Sequence, residues 1–272
     1  QEKLQQIAYL QDLLAHPEKV LKVIAQELQD LKKRFGDARR TQIVDREDQP
    51  LTARDLLPDQ TIAVTLSETG ELAQTSVAQG EEPNWKEMLK AQEGTAPLAC
   101  VTLNTRQDLL VVSVKGTAAL LPAHRIAETG AVHWADLTGL TRRDRVAALL
   151  PLPVQTEAPA AESYLLLATA GGQVKRVLVS EARAQAARGT VAVMQVAEGD
   201  QVIGAALTNG QQEAILVSSA GRAIRFREEE VRPMGLPAGG VVGIKLGEGA
   251  QVVSLQLAQP RAMLLVITRA GF

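Results

Sequence analysis

Part of this chain repeats itself. Leu165-Leu166-Leu167-Ala168-Thr169-Ala170-Gly171 lies over Ile215-Leu216-Val217-Ser218-Ser219-Ala220-Gly221 without a gap, 50 residues on, and Ala270-Gly271 falls at the same spacing. Downstream, Glu198-Gly199 lies over Glu248-Gly249, Gly189 over Gly239 and Val202 over Val252; the same register sets Lys175 over Arg225. Looser copies come earlier, with Leu110-Val111-Val112 before Gly116 and Ile62-Ala63-Val64 before Gly70. The turn glycines are then 70, 116, 171, 221 and 271. Each copy reads as an apolar strand, a turn, a polar strand, a loop and two more short strands, which is one four-stranded blade. Repeats of ~40–50 residues with several strands each mark a propeller-like array. A lone blade cannot bury both faces, so the copies must stack. The alternative, a β-sandwich with chance similarity, accounts poorly for the ungapped match.

Composition narrows the functional classes. Aromatics are 3% of the chain, so the core is aliphatic and no base-stacking platform for single strands is expected. With 29 Lys+Arg against 31 Asp+Glu, a strongly basic protein is excluded while a local basic stripe is not. Cys100 is the one cysteine, which excludes an intrachain disulfide framework and a multi-cysteine zinc site. It fits a reducing, cytoplasmic setting. No apolar run approaches the ~18–20 residues of a membrane span, and no signal-peptide pattern opens the chain. Beginning at Gln1 and stopping at Phe272 in mid-pattern, the sequence reads as a piece of a longer chain.

Residues 1–44 read as helical. Leu4, Ile7, Leu10, Leu13 and Leu14 make one apolar face, and Val20, Leu21, Ile24, Leu28 and Leu31 another. Pro17 marks a restart between two antiparallel helices, and Gly36 follows the cationic last turn. Both apolar faces need a further surface. Residues 45–60, acidic and carrying Pro50 and Pro58, read as a linker. Residues 61–272 hold the blades, at about 61–105, 106–155, 163–210 and 211–260, with a truncated one at 261–272.

No catalytic constellation is present in the sequence. His16, His124 and His133 lack a partner at metal-ligand spacing, so no metal site is expected. Cys100 sits in an apolar strand, as a small hydrophobe does. There is no Gly-rich phosphate loop, so no ATP site is expected. What remains is a set of cations placed by the repeat. Lys175 and Arg176 follow one turn, Arg222, Arg225 and Arg227 the next, and Arg188, Arg232 and Lys245 occupy the loops. Spaced by blades, such charges would track the phosphates of a bent duplex without reading bases. Ordinary surface solubility is the competing account.

Several stretches resemble the gyrase A proteins of bacterial type IIA topoisomerases, a family that includes their topoisomerase IV counterpart. Phe35-Gly36-Asp37-Ala38-Arg39-Arg40-Thr41-Gln42-Ile43 is similar to the end of that family's coiled coil. Val231-Arg232-Pro233-Met234-Gly235, Gly239-Gly240-Val241 and Gly243-Ile244-Lys245-Leu246 are similar to a blade of it. So are Gly172-Gln173-Val174-Lys175-Arg176 and Leu207-Thr208-Asn209-Gly210. The resemblance implies a mainly β fold, a propeller-like β-pinwheel whose neighbouring blades exchange strands, preceded by an α-helical coiled-coil segment. It implies double-stranded DNA bent around the outer edge, a homodimer of the gyrase A type, and a partner of the gyrase B type that uses ATP with Mg. It also implies cleavage by a tyrosine elsewhere and a cytoplasmic, nucleoid-associated setting. This segment would hold neither cofactor nor catalytic residue. The gyrase role, presenting a segment for strand passage and supercoiling, is the first expectation. Topoisomerase IV-like relaxation and decatenation is the second, and a protein-binding propeller without a DNA role the third. The first blade departs from the gyrase pattern: from Gln79-Gly80-Glu81-Glu82 to Glu93-Gly94-Thr95 it is acidic and lacks the basic box, and Ala73-Gln74 stand where Lys-Arg is expected.

Overall fold

The computed structural model describes residues 1–36, 56–78, 82–85, 97–127, 130–154, 162–268 and 271. The chain divides into two compact units, residues 1–50 and 51–272. The described part of the first is two helices, α1 (Glu2–Ala15) and α2 (Pro17–Phe35), separated by His16 alone. Antiparallel helix pairs use loops of about 2–5 residues. A one-residue link with Lys19 Nζ on Asp12 Oδ2 at 2.5 Å, seven residues back, is instead a kinked continuation, with Pro17 at the first turn of α2. Neither helix has a buried residue; Leu4, Leu14, Leu21, Leu28 and Phe35 are all exposed. The greater part of the sequence-predicted linker, residues 45–55, lies outside the described residues, as does most of the acidic stretch in the first blade.

In the second unit four sheets follow one another. The first hairpin is β1 (Thr61–Ser67) and β2 (Glu71–Ser76), with return strand β3 (Pro97–Asn104) on the far side of β1. The plan recurs in β4 (Asp108–Ser113), β5 (Thr117–Pro122) and β7 (Val146–Leu152). It recurs again in β8 (Tyr164–Thr169), β9 (Gln173–Leu178) and β11 (Val202–Thr208). In the fourth sheet it is β12 (Glu213–Ser218), β13 (Ala223–Arg227) and β15 (Val252–Leu257).

In the first three sheets the remaining strand comes from the next module. β6 (Val132–His133) pairs with β2, β10 (Val191–Ala192) with β5, and β14 (Val241–Val242) with β9. A blade is therefore not contiguous in sequence, and the simple reading of strand, turn, strand, loop and two strands as one blade is corrected. Each donated segment is held by the carbonyl of the acceptor's turn glycine. Trp134 N–H donates to Gly70 O (3.0 Å), Val193 N–H to Gly116 O (2.8 Å) and Gly243 N–H to Gly172 O (2.9 Å). β13 is an edge strand with no described donor.

The strand order also corrects the repeat. The left-handed turn residue of the third hairpin is Gly172, with φ +85°, not Gly171. Gly70, Gly116, Gly172 and Gly221 are thus 46, 56 and 49 residues apart. Hairpins three and four superimpose at 49, whereas β10 with β14, and Val202 with Val252, stand at 50. Module four has one extra residue between its hairpin and its donated strand. Arg176, not Lys175, is therefore the counterpart of Arg225; Lys175 matches Ile224.

Blades stack through aliphatic slabs. Leu109 and Val111 of β4 face the slab shared with blade one, and Leu110 and Val112 the slab shared with blade three. Burial on both faces is why the first strand of each hairpin is a continuous apolar run rather than an alternating one. The return strands β3, β7, β11 and β15 pack side by side, leaving β2, β5, β9 and β13 on the other side of their sheets. Short helices α3 (Trp134–Thr138) and α4 (Val179–Ala186) fill the connections of modules two and three. Arg183 of α4 reaches back to blade two, donating to Asp108 Oδ2 (2.5 Å) and Pro153 O (2.8 Å), with both charged groups buried.

Candidate nucleic-acid interface

The eight cations expected to face DNA fall into two groups. Lys175 and Arg176, on β9, are buried because chain from both modules three and four covers that strand. Lys175 is wholly buried, and its Nζ donates to Val193 O (2.8 Å) and Leu236 O (2.6 Å). Burial pushes its pKa down to about 8, with Glu181 pulling weakly the other way. The Arg176 guanidinium lies 4.5 Å over the Tyr164 ring, a cation–π contact, and its Nη1 points to Gly210 O at 3.5 Å. Phosphate contact through these two side chains, as the sequence suggested, does not fit their burial: Lys175 is bonded to two carbonyls, and Arg176 is stacked on Tyr164 with its Nε buried and without a hydrogen-bond partner.

The other six, Arg188, Arg222, Arg225, Arg227, Arg232 and Lys245, are exposed. Arg222 opens the fourth hairpin's second arm, and Arg225 and Arg227 project from β13, the strand on the far side of its sheet from the return strand β15. Arg225 donates through Nε (2.9 Å) and Nη2 to Glu213 Oε2, which partly neutralises it. Arg188 follows α4, Arg232 follows the 3₁₀ turn Glu228–Glu230, and Lys245 follows β14. Arg188 and Arg232 thus stand in the same connection of successive modules, between hairpin and donated strand.

A further basic stretch, Arg142-Arg143-Asp144-Arg145, was not singled out by the repeat. Three cations in four residues are its signal, and they do not recur at module spacing. Arg142 is bonded to Asp136, which holds the Asp136 carboxyl below its ordinary pKa. Arg145 Nη2 donates to Gln201 Oε1 (2.8 Å), and Arg145 O accepts from Val114 N–H beside the exposed Lys115. The turn end of blade two therefore carries cations that the sequence reading left out.

Of the groups weighed for catalysis, His133 has a structural role. His133 Nδ1 accepts from Ala135 N–H at the start of α3, and the ring stacks on Trp134 at 5.7 Å. Burial pushes the Cys100 thiol up, away from a reactive thiolate. Among the described residues no group of three His, Cys, Asp or Glu could hold a metal ion.

Against known proteins, residues 163–209 and 212–259 match the family described as DNA gyrase C-terminal domain, beta-propeller. These are modules three and four, which carry the six exposed cations named above, Arg188 on module three and the other five on module four. The DNA gyrase A protein of Dehalogenimonas lykanthroporepellens is 30% identical over 99% of this chain and 34% of its own length. That of Salmonella typhimurium is 30% identical over 94% of this chain and 29% of its own. The chain spans about a third of the length of the curated relatives it matches. Among solved structures, the C-terminal domain of DNA topoisomerase IV matches with a TM-score of 0.60 and 26% identity, covering 75% of this chain and 63% of that one. A DNA gyrase A C-terminal domain matches in fold at a TM-score of 0.55 and 23% identity, covering 72% and 64%. Matched on two consecutive blades, along its length and in its fold, the chain has modules three and four that belong to the DNA gyrase C-terminal domain family, and it carries the β-pinwheel seen in gyrase A and its topoisomerase IV counterpart.

Proposed function

We propose that this chain bends duplex DNA by contacting its phosphates along the outer edge of modules three and four, as the wrapping domain of a gyrase A protein. The observation that carries this reading is the exposure of Arg188, Arg222, Arg225, Arg227, Arg232 and Lys245 on two consecutive modules that match the gyrase domain. Guanidinium and ammonium groups on flexible stems recognise phosphate by charge and hydrogen bonding without sequence information. Placed on successive modules of a stacked array, they favour a curved path over a straight one. In the intact enzyme this would present a second duplex segment to a cleavage centre elsewhere in the gyrase A protein, with ATP and Mg handled by its gyrase B partner. The segment itself contributes no reacting group in this reading.

The topoisomerase IV reading is favoured by one observation, the 0.60 TM-score to that enzyme's C-terminal domain. The two separate on the assembled enzyme. Gyrase function predicts negative supercoils in relaxed plasmid with ATP; relaxation and decatenation alone would favour topoisomerase IV. DNA binding is tested by titrating duplex in rising salt, where affinity should fall steeply. No binding at ~50 mM salt would overturn both readings and favour a protein-binding propeller.

A further inference from the structure

Leu236 is buried in a slab that its own blade does not touch. It belongs to module four, in the connection between Glu228–Glu230 and β14, yet it packs with Leu165, Leu167, Val177 and Val193 between blades two and three. The chain around it follows the outer strand of blade three. Met234 N–H donates to Arg176 O (2.8 Å), Gln195 N–H donates to Ala238 O (3.1 Å), and Val241 pairs with Val174. Where this segment crosses β9 stands Lys175, donating to Leu236 O of module four and Val193 O of module three. At the same register the other hairpins have Ala73, Ala119 and Ile224. A buried ammonium at an otherwise apolar position is costly unless its hydrogen bonds are made. Here they join two segments that share no strand pairing and are otherwise tied by the Gln195 N–H bond to Ala238 O.

We infer that Lys175 is a positioning residue: it locks the 231–242 segment of module four across blade three, with Leu236 as the plug, and so sets where Arg232 and Lys245 stand. The last clause alone rests on the DNA reading. The lock couples module four to the junction between blades two and three, one blade beyond its nearest neighbour. Charge-assisted hydrogen bonds to two carbonyls are directional, so the lysine fixes a geometry that apolar packing would leave looser.

Hydrogen exchange on the full chain at pH 7 tests this. Lys175→Met should speed exchange of the Met234 and Gln195 amides at least tenfold while leaving those of the β4–β5 hairpin as they are. Leu236→Ala, which keeps the carbonyl but removes the plug, should speed the same amides. It stands in for Lys175→Met should that variant fail to fold. Unchanged exchange at 231–242 in a folded Lys175→Met chain, or in Leu236→Ala, would overturn the lock. A duplex dye-labelled at both ends then reads bending. Faster exchange together with a reduced bend supports the lock and its DNA consequence. Faster exchange with unaltered bending keeps the lock and rejects the link to DNA.

Discussion

Lys175 and Arg176 are adjacent cations on one strand, and burial decides what each can do. For Lys175 the folded pKa, about 8, lies below the ordinary 10.5. Between those values the unfolded chain binds more protons than the folded one, so the lysine's cost to stability falls as pH rises, by up to ~1.4 kcal/mol per pH unit. Wild type should therefore gain stability relative to Lys175→Met between pH 7 and pH 10, which urea midpoints at three pH values would show. Parallel pH profiles would contradict a buried, shifted ammonium. Asp108 and Arg183 are the second buried pair, joining α4 to the start of β4. Removing one partner strands the other in a dry site, so Asp108→Ala should cost ~3–5 kcal/mol. Exchanging both for apolar residues of similar size should cost far less. Neither burial was legible in the sequence. The segment covering Lys175 lies some sixty residues further on, and the Asp108–Arg183 pair spans 75 residues. Local pattern carries no trace of contacts that distant.

At the scale of the hairpin, the turn glycine has two distinct duties. Gly172 has φ +85°, and a Cβ there would lie 2.7 Å from Ile244 O of the donated segment. Gly221 has φ +72° with open space around it, since no described segment closes blade four. Gly221→Ala should thus cost only the left-handed strain, ~1–2 kcal/mol. Gly172→Ala should cost more and loosen β14, as thermal melts of the two variants would show; equal losses would contradict the closing role of Gly172. The apolar strands themselves were legible, because burial on both faces writes Leu110-Val111-Val112 and Leu165-Leu166-Leu167 as unbroken runs. The register was not, because one extra residue in module four makes a 50-residue overlay look ungapped while shifting the hairpin by one. The signal that fixes it is a hydroxyl three residues before the turn glycine: Ser67, Ser113, Thr169, Ser218 and Thr268. Their hydroxyls cap the turns, accepting from Glu71 N–H (3.0 Å), Gln173 N–H (3.2 Å) and Arg222 N–H (3.1 Å) in three of them. In all five turns the glycine N–H donates to that residue's carbonyl, Gly271 to Thr268 O (2.9 Å) included.

For the molecule as a whole, net charge says little about binding, because −2 over the chain conceals groups of exposed cations on modules two and four. The salt dependence of duplex affinity counts those that meet phosphate. Each contact steepens the log–log slope by about 0.9, so substituting a true contact should flatten it by about one and weaken all sequences alike. Arg227→Gln and Arg232→Gln should do this. Arg176→Gln should not: its guanidinium is spent on Tyr164, and its loss should appear in stability instead. Arg225 gives the sharper comparison, since Glu213 already holds it. If the outer edge is where DNA runs, Glu213→Gln should raise affinity at low salt and steepen the slope, because it releases a guanidinium and removes a repelling carboxylate. Arg225→Gln should then have a smaller effect in the wild-type background than beside Gln at position 213. Were Glu213→Gln to leave both affinity and slope unchanged while Arg142→Gln and Arg145→Gln flattened it, the duplex would run over the turn end of blade two, and the edge of modules three and four would not be its path.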